Sequence, residues 1–401
     1  MPRRSKRIPL CPDKRTWRSK ACQITVFFHP HAAGRYHGRK GCSVQSVTYT
    51  DSGPLSSALR DGRILLIKPS SLGDIVHVLP VVSAIKAQWP GVHLTWVVKR
   101  QWAELVRRVA GVDCVWPVDE GAMSWLKQGW ALRREHFDLA IDLQGLFRSG
   151  LVTWLSGVPL RIGFANGREG SPWFYTVQVP VPAVEMHAVD RYLLIAEAMG
   201  AYAQGARQFR FNILDADRHI VQDILSEKGI SVDQPWLAMN ISARWMTKRW
   251  PLSSFAGVLD RLHGEGHGPV VVIGSAEDRH DVEALRTVTT TPFIDLTGAI
   301  PLGCLPALLL KAAALITNDS GPMHIAAALG TPVVALFGPT SEVRTGPYGT
   351  GHRVLTSAVS CRPCFSRVCR HTPELECLRS LSPDDVVDAV RRLVTAQARS
   401  S

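Results

Sequence analysis

The chain has 401 residues, of which 46% are hydrophobic and 20% are charged. This length predicts two domains that can each bury a core, and the balance excludes collagen-like, coiled-coil and wholly disordered proteins. Every apolar run is shorter than the ~20 residues that a membrane-spanning helix requires. We therefore expect a soluble or peripheral protein.

The net charge of +12 is concentrated at the start of the chain, where residues 1–63 hold 13 Lys/Arg and 3 Asp/Glu. The rest of the chain is almost neutral, which argues against a basic nucleic-acid-binding face. Residues 1–61 are expected to form a basic N-terminal extension. This extension is either disordered, or translated from a start site assigned too far upstream, or an arm that contacts anionic lipid headgroups. It lacks the apolar stretch of a secretory signal, so we expect a cytoplasmic location.

Strands and helices alternate along the remainder in two series. The first series has predicted strands at residues 63–68, 93–98 and 138–142, with a helix at 75–88. The second has strands at 236–241, 270–273, 313–317 and 333–337, with helices at 253–263, 278–287 and 382–398, the last capped by Ser382. Alternation of this kind predicts an α/β fold with parallel sheets. We expect Rossmann-like domains at residues 62–205 and 236–398, joined by a linker region at 206–235, with ligands at the carboxyl ends of the strands.

Three predicted strand-to-helix turns carry polar residues of the types used in catalysis and in phosphate binding. Asp74 follows Gly73 at a helix start, where it either stabilises the helix dipole or acts as a general base in an interdomain cleft. In the turn at residues 317–324, Asp319 and His324 lie beside backbone N–H groups that suit a phosphate or diphosphate, although a plain capped helix is equally compatible. The loop at residues 242–251 carries Lys248, which suits a phosphate leaving group if it is not simply a solvated cation.

Several signatures are missing or weak. No dinucleotide-binding G-x-G-x-x-G follows the first strand and no G-x-x-x-x-G-K-[ST] occurs, which disfavours a dehydrogenase and a P-loop nucleotidase. The only D-x-D begins at Asp215 and is interpreted as helix capping and not as a metal-diphosphate site, and no cofactor is expected. Four cysteines are clustered and either bind zinc or remain as thiols that pack or pair: Cys361, Cys364, Cys369 and Cys377.

Taken together, six segments resemble the lipopolysaccharide heptosyltransferases of glycosyltransferase family 9. They are residues 68–77 (KPSSLGDIVH), 142–149 (DLQGLFRS), 161–169 (RIGF and GRE), 187–191 (HAVDR), 247–251 (TKRWP) and 318–332 (NDSGPMHIAAALGTP). The resemblance implies a GT-B fold of two facing Rossmann-like domains. It also implies inverting, metal-independent transfer of heptose from ADP-heptose to lipid A–Kdo or heptosylated core. Peripheral contact with the inner face of the inner membrane follows from that acceptor.

The resemblance also assigns roles to individual residues. Asp74 matches the catalytic base, and Lys248 matches the lysine that neutralises the diphosphate. The donor-binding matches are Ser242, Glu277, Asp319, Ser320, Gly321 and His324, of which Glu277 would contact the ribose. Arg148 and Arg168 would pair with an anionic acceptor. Two alternatives remain open: a GT-B transferase that uses another nucleotide sugar, and a non-catalytic nucleotide-binding module.

Overall fold

The structure, a computed structural model, describes residues 59–183, 185–202, 207–231 and 234–398. The predicted basic extension therefore lies outside the described residues, apart from residues 59–61. The chain forms two compact units. Of the described residues, the first unit holds those within Met1–Ser70, Pro80–Pro182 and Arg191–Gln208, and the second holds those within Ser71–Leu79, Ala183–Asp190 and Phe209–Ser401. Two short segments of the N-terminal half thus belong to the second unit.

The first sheet has six parallel strands in the order β3-β2-β1-β4-β5-β6. They are β1 (Arg63–Ile67), β2 (His93–Lys99), β3 (Cys114–Val118), β4 (Leu139–Asp142), β5 (Leu160–Phe164) and β6 (Val177–Val179). The helices of this half are α1 (Leu72–His77), α2 (Leu79–Gln88), α3 (Ala103–Val106), α4 (Ala122–Leu132), α5 (Phe147–Leu155) and α6 (Ala188–Ala198). A 3-10 turn, Ser171–Phe174, precedes β6.

The second sheet repeats this arrangement with six parallel strands in the order β12-β11-β10-β7-β8-β9. They are β7 (Leu237–Asn240), β8 (Val270–Val272), β9 (Ile294–Asp295), β10 (Ala314–Asn318), β11 (Val333–Phe337) and β12 (Arg353–Thr356). The helices are α7 (Asp215–Glu227), α8 (Leu252–Gly264), α9 (Arg279–Val288), α10 (Leu305–Leu309), α11 (Gly321–Leu329), α12 (Glu342–Thr345), α13 (Glu376–Arg379) and α14 (Pro383–Ala398).

The central strands are buried on both faces, as their continuous apolar runs predict. Every residue of β10 and β11 is buried, and so are four of the five residues of β1. Trp96 lies in the core of the first unit, and Trp236 and Trp250 lie in the core of the second. These rigid cores hold the turns at the carboxyl ends of the strands in place.

The predicted helix at residues 75–88 is wrong in one respect, because the chain forms two helices there, α1 and α2. Pro80 lies in the first turn of α2, where its missing N–H costs nothing, but it prevents one continuous helix through this point.

Two predicted caps are confirmed. Ser382 Oγ accepts from Asp384 N at 3.1 Å, and Asp217 Oδ2 accepts from Leu214 N at 3.1 Å. Among the described helices, none combines the length and the apolar character needed to cross a bilayer.

Candidate functional site

The N-terminal ends of α1 and α11 are in close contact within the second unit. A β-carbon on Gly73 would lie 2.4 Å from Cδ2 of His324, and one on Gly321 would lie 2.3 Å from Cδ2 of Leu72. Only glycine permits helices to approach this closely at both positions. The contact places the positive ends of two helix dipoles side by side.

Asp74 is the third residue of α1 and is partly buried. Its Oδ2 accepts hydrogen bonds from the backbone N of Ser71 at 3.0 Å and from Ser71 Oγ at 2.8 Å. This geometry is the capping arrangement that the sequence allowed, and it orients the carboxylate firmly. The role of Asp74 as a general base stays a prediction.

His324 of α11 forms a hydrogen bond with a histidine of α1. Its Nδ1 lies 3.0 Å from Nε2 of His77, and the two rings are edge-to-face with centroids 4.3 Å apart. Burial lowers the pKa of His324 to about 4, although the nearby carboxylates of Asp319 and Asp74 act in the opposite direction. The imidazole is therefore neutral at pH 7.

His187 extends this cluster from the segment that precedes α6. Its Nδ1 accepts from Val189 N at 3.1 Å, so its Nε2 carries the proton and donates to Gly346 O at 3.0 Å. Burial lowers the pKa of His187, which agrees with a neutral ring, and the ring lies edge-on to His77 at 5.3 Å. The sequence assigned no role to His77 or His187; their only signal was membership of the segments at 68–77 and 187–191.

Lys248 and Asp319 form an ion pair next to the start of α11. Lys248 Nζ lies 2.6 Å from Asp319 Oδ2, and the side chains are only 18% and 5% exposed. Thr340 Oγ1 donates to the same carboxylate oxygen at 2.7 Å. Lys248 Nζ also lies 4.8 Å from the centre of the Trp245 ring. The cation is thus held at one place by charge and by an aromatic face.

Ser320 is the N-cap residue of α11, but its side chain makes no capping hydrogen bond. Its Oγ instead receives a hydrogen bond from Asn240 Nδ2 at 2.8 Å and lies 2.9 Å from Thr317 Oγ1. The Ser320 hydroxyl therefore leaves the first-turn N–H groups of α11 without a side-chain cap, although Pro322 contributes no N–H to them. Such a helix start is suited to an anion.

Ser242 follows β7 and lies near the same network. Its backbone N donates to Asn240 Oδ1 at 3.2 Å, and the side chain is buried. Ser242 Oγ has no hydrogen-bond partner among the described residues. A buried hydroxyl without a partner is costly, which favours a ligand group or water beside it.

Glu277 is placed apart from these contacts. It is exposed in a 3-10 turn, and no hydrogen bond or ion pair joins it to another described residue. Its neighbour Asp278 accepts from Ser275 N at 2.7 Å and from Ser275 Oγ at 2.8 Å. Contact of Glu277 with a ribose stays a prediction.

Arg148 and Arg168 lie in the first unit on touching turns. Arg148 is exposed in the first turn of α5, with its guanidinium 5.6 Å from the centre of the Trp125 ring. The backbone N of Arg168 donates to Gly145 O at 2.8 Å, which joins the turn after β5 to the turn after β4. Both arginines therefore lie at the carboxyl ends of neighbouring strands.

The four clustered cysteines surround a cavity of about 20 Å³ in the second unit. All four are free thiols. Burial, and then the neighbouring thiols, raise the pKa of Cys377. Among the residues that the structure describes, no group of three or more His, Cys, Asp or Glu side chains is arranged to hold a metal ion.

Comparison with known proteins supports the family resemblance that the sequence suggested. Residues 125–374 match glycosyltransferase family 9 (heptosyltransferase). The chain is 29% identical to lipopolysaccharide heptosyltransferase 1 of Pseudomonas aeruginosa, over 78% of this chain and 89% of that protein. It is also 29% identical to lipopolysaccharide heptosyltransferase 2 of Escherichia coli, over 73% of this chain and 87% of that protein.

Solved structures agree. The structure of E. coli ADP-heptose lps heptosyltransferase II matches with a TM-score of 0.70 at 25% identity, covering 84% of this chain and 99% of that one. A glycosyl transferase family 9 structure from Veillonella parvula matches with a TM-score of 0.74 at 25% identity, with the same coverage. The predicted GT-B fold and glycosyltransferase activity are thereby confirmed. The chain belongs to glycosyltransferase family 9, the heptosyltransferases.

Proposed function

We propose that the protein transfers heptose from ADP-heptose to the inner core of lipopolysaccharide, with inversion at the anomeric carbon. The observation that carries this proposal is that three charged side chains surround the neutral imidazole of His324. His324 lies within electrostatic range of Asp74, Asp319 and Lys248. A candidate base and a candidate diphosphate cation thus lie close to the same helix start. The relatives named above, at 29% identity, are lipopolysaccharide heptosyltransferases.

In this proposal the start of α11 binds the diphosphate of the donor. The first-turn N–H groups and the helix dipole favour an anion there. Lys248 stabilises the negative charge that grows on the diphosphate as it departs. Asp319 and Thr340 keep the lysine in position before the donor arrives, and the unpartnered hydroxyl of Ser242 supplies one more donor to a phosphate oxygen.

Asp74 acts as the base. Its two hydrogen bonds from Ser71 hold the carboxylate at the start of α1. The acceptor hydroxyl oxygen attacks the anomeric carbon while the bond from that carbon to the ADP oxygen breaks. The hydroxyl proton passes to Asp74, and the bonding electrons leave with ADP. One in-line displacement of this kind inverts the configuration.

Arg148 and Arg168 bind the acceptor, which is lipid A–Kdo or the heptosylated core. The inner core carries carboxylates and phosphates, and guanidinium groups pair with both in a two-pronged geometry. An acceptor anchored in lipid places the enzyme at the cytoplasmic face of the inner membrane as a peripheral protein.

The test is transfer itself. Purified full-length protein is incubated with ADP-heptose and Kdo-bearing or heptosylated core acceptors, and mass spectrometry detects the mass of one added heptose. The second candidate, a transferase for another nucleotide sugar, is examined by thermal stabilisation with ADP-, UDP- and GDP-sugars, because a ligand of the native state raises its stability. Stabilisation by UDP- or GDP-sugars but not by ADP-heptose would contradict the proposed donor.

A further inference from the structure

The first unit exposes three tryptophan side chains on adjacent elements. Trp130 of α4 is 57% exposed, Trp154 of α5 is 54% exposed, and Trp173 of the 3-10 turn is 86% exposed. They are the three most exposed tryptophans of the described residues. Tryptophan is usually largely buried, since its indole has a large apolar area. Their concentration in one region points to a surface that is covered in use.

The elements that carry these side chains pack against one another. The two helices are consecutive right-handed crossovers that move in the same direction along the sheet, from β3 to β4 and from β4 to β5, so they cover the same face of the sheet. They are in contact, since a β-carbon on Gly129 would lie 2.7 Å from Cβ of Leu155. The 3-10 turn packs on α5, where the Phe147 and Phe174 rings are 5.4 Å apart.

The outward side of each helix is marked by regular spacing. On both helices, residues at positions i, i+4 and i+7 point away from the sheet. We call these residues, together with Trp173, the aromatic face: Met123, Lys127 and Trp130 of α4, and Phe147, Leu151 and Trp154 of α5. Leu151 is partly exposed and the others are exposed.

The two helices of the aromatic face carry basic side chains, while Glu135 and Glu169 lie at its edge. Neither α4 nor α5 contains an aspartate or a glutamate. Lys127 lies within the face, and Arg133 and Arg134 follow α4, with the Arg133 guanidinium 5.7 Å from the centre of the Trp130 ring. An apolar surface rich in tryptophan whose helices carry only basic charges is complementary to the interfacial region of an anionic bilayer.

We propose that the aromatic face docks this protein on an anionic lipid bilayer, with the indole rings at the level of the headgroups. The inference rests on the proposed function and deepens it, because it names the surface through which the enzyme reaches a lipid-anchored acceptor. Arg148 lies on the same helix as Trp154, so docking through α5 keeps the proposed acceptor-binding arginine near the membrane surface.

The first experiment measures flotation of the full-length protein with vesicles of phosphatidylethanolamine and phosphatidylglycerol. The test variant is W130S/W154S/W173S. The matched control, I220S/V288S/L310S, removes three exposed apolar side chains of the second unit. We expect wild type and control to bind equally and the tryptophan variant to bind at least about tenfold more weakly. The reason is that the free energy of binding rises with the apolar area that the protein buries in the bilayer. Equal vesicle binding by all three proteins would overturn the proposal.

A second measurement separates insertion from simple charge attraction, which the basic N-terminal residues could supply alone. Brominated lipids should quench tryptophan fluorescence in the wild type, and this quenching should disappear in W130S/W154S/W173S. Wild type that is bound but not quenched would contradict docking through this face. Self-association of the wild type that the variant loses, without vesicle binding, would assign the face to a second copy of the chain.

A third measurement keeps this proposal distinct from the proposed function. The tryptophan variant should transfer heptose normally to a lipid-free core oligosaccharide, while its transfer to acceptor embedded in vesicles should fall. If the wild type lacks transfer to both acceptors yet binds vesicles with quenching, the proposed function fails and the docking surface stands. If W130S/W154S/W173S is as active as wild type on embedded acceptor, the docking surface fails and the proposed function stands.

Discussion

Gly73 lies so close to His324 that the imidazole occupies the space a β-carbon would need, 2.4 Å from its Cδ2. Gly73→Ala should therefore separate α1 from α11 and lower the free energy of unfolding by about 1–3 kcal/mol. The effect should appear in urea denaturation and as weaker ADP binding in calorimetry. Gly264→Ala is the matched control, because a β-carbon there meets nothing within 4 Å. Equal stability of the two variants would contradict the close packing.

The role of Asp74 is tested with its isosteric amide. Asp74→Asn retains an oxygen that can accept from Ser71, but it has no basic carboxylate. Transfer should fall by about 10²–10⁴-fold, the usual contribution of a general base, while ADP binding should remain within about twofold of wild type.

Ser71→Ala is the control for that variant, since it removes one hydrogen bond to Asp74 and keeps the carboxylate itself. It should cost about 1 kcal/mol of stability and leave most of the transfer rate. Near-normal turnover of Asp74→Asn would remove Asp74 from its assigned role.

Lys248 should strengthen binding of the donor diphosphate. Lys248→Ala removes the cation that lies 2.6 Å from Asp319 and leaves that buried carboxylate with Thr340 as its remaining partner. We expect ADP affinity to fall at least about tenfold, equivalent to about 1.4 kcal/mol, together with a lower melting temperature. Lys311→Ala, an exposed lysine of the same unit, should change neither quantity. An unchanged dissociation constant for ADP in Lys248→Ala would refute the role.

The buried imidazole of His324 predicts a pH dependence of stability. Its pKa falls from 6.5 to about 4 in the folded protein, so the unfolded state binds more protons between these values. The full free energy of unfolding is therefore present above pH 6.5. About 3 kcal/mol of it is lost in total as the pH falls toward 4, because the buried His324 ring resists protonation in the folded state. His324→Gln should flatten the wild-type loss of stability between pH 6.5 and 4, measured by urea denaturation. A variant with the same slope as wild type would contradict this.

The sequence predicted the central strands well because they are continuous apolar runs buried on both faces. Strand β11 was predicted with its observed ends, and β1, β2, β4, β7, β8 and β10 were predicted within two residues at either end. Strands β3, β5, β6, β9 and β12 were missed. Most of these are short or partly exposed, and β9 has only two residues, so their patterns are weak and their pairing depends on the neighbouring strand.

The candidate site was predictable only in part. The family resemblance pointed to Lys248, Asp319 and His324, and the structure brings these three together. The hydrogen bond between His77 and His324 joins residues 247 positions apart, and no local pattern carries information about such a contact. The same holds for the close approach of Gly73, since a glycine at a helix start also has purely local explanations.

The allocation of Ser71–Leu79 to the second unit has a practical consequence for anyone who dissects or recombines this enzyme. A fragment that starts at Phe209 would lack α1, which packs closely on α11 at Gly73. The ring of His324 would then be exposed to solvent. Chimeras spliced at the central connection would likewise combine α1 from one parent with α11 from another. Exchange of halves between relatives should therefore succeed only when this nine-residue segment travels with the C-terminal partner.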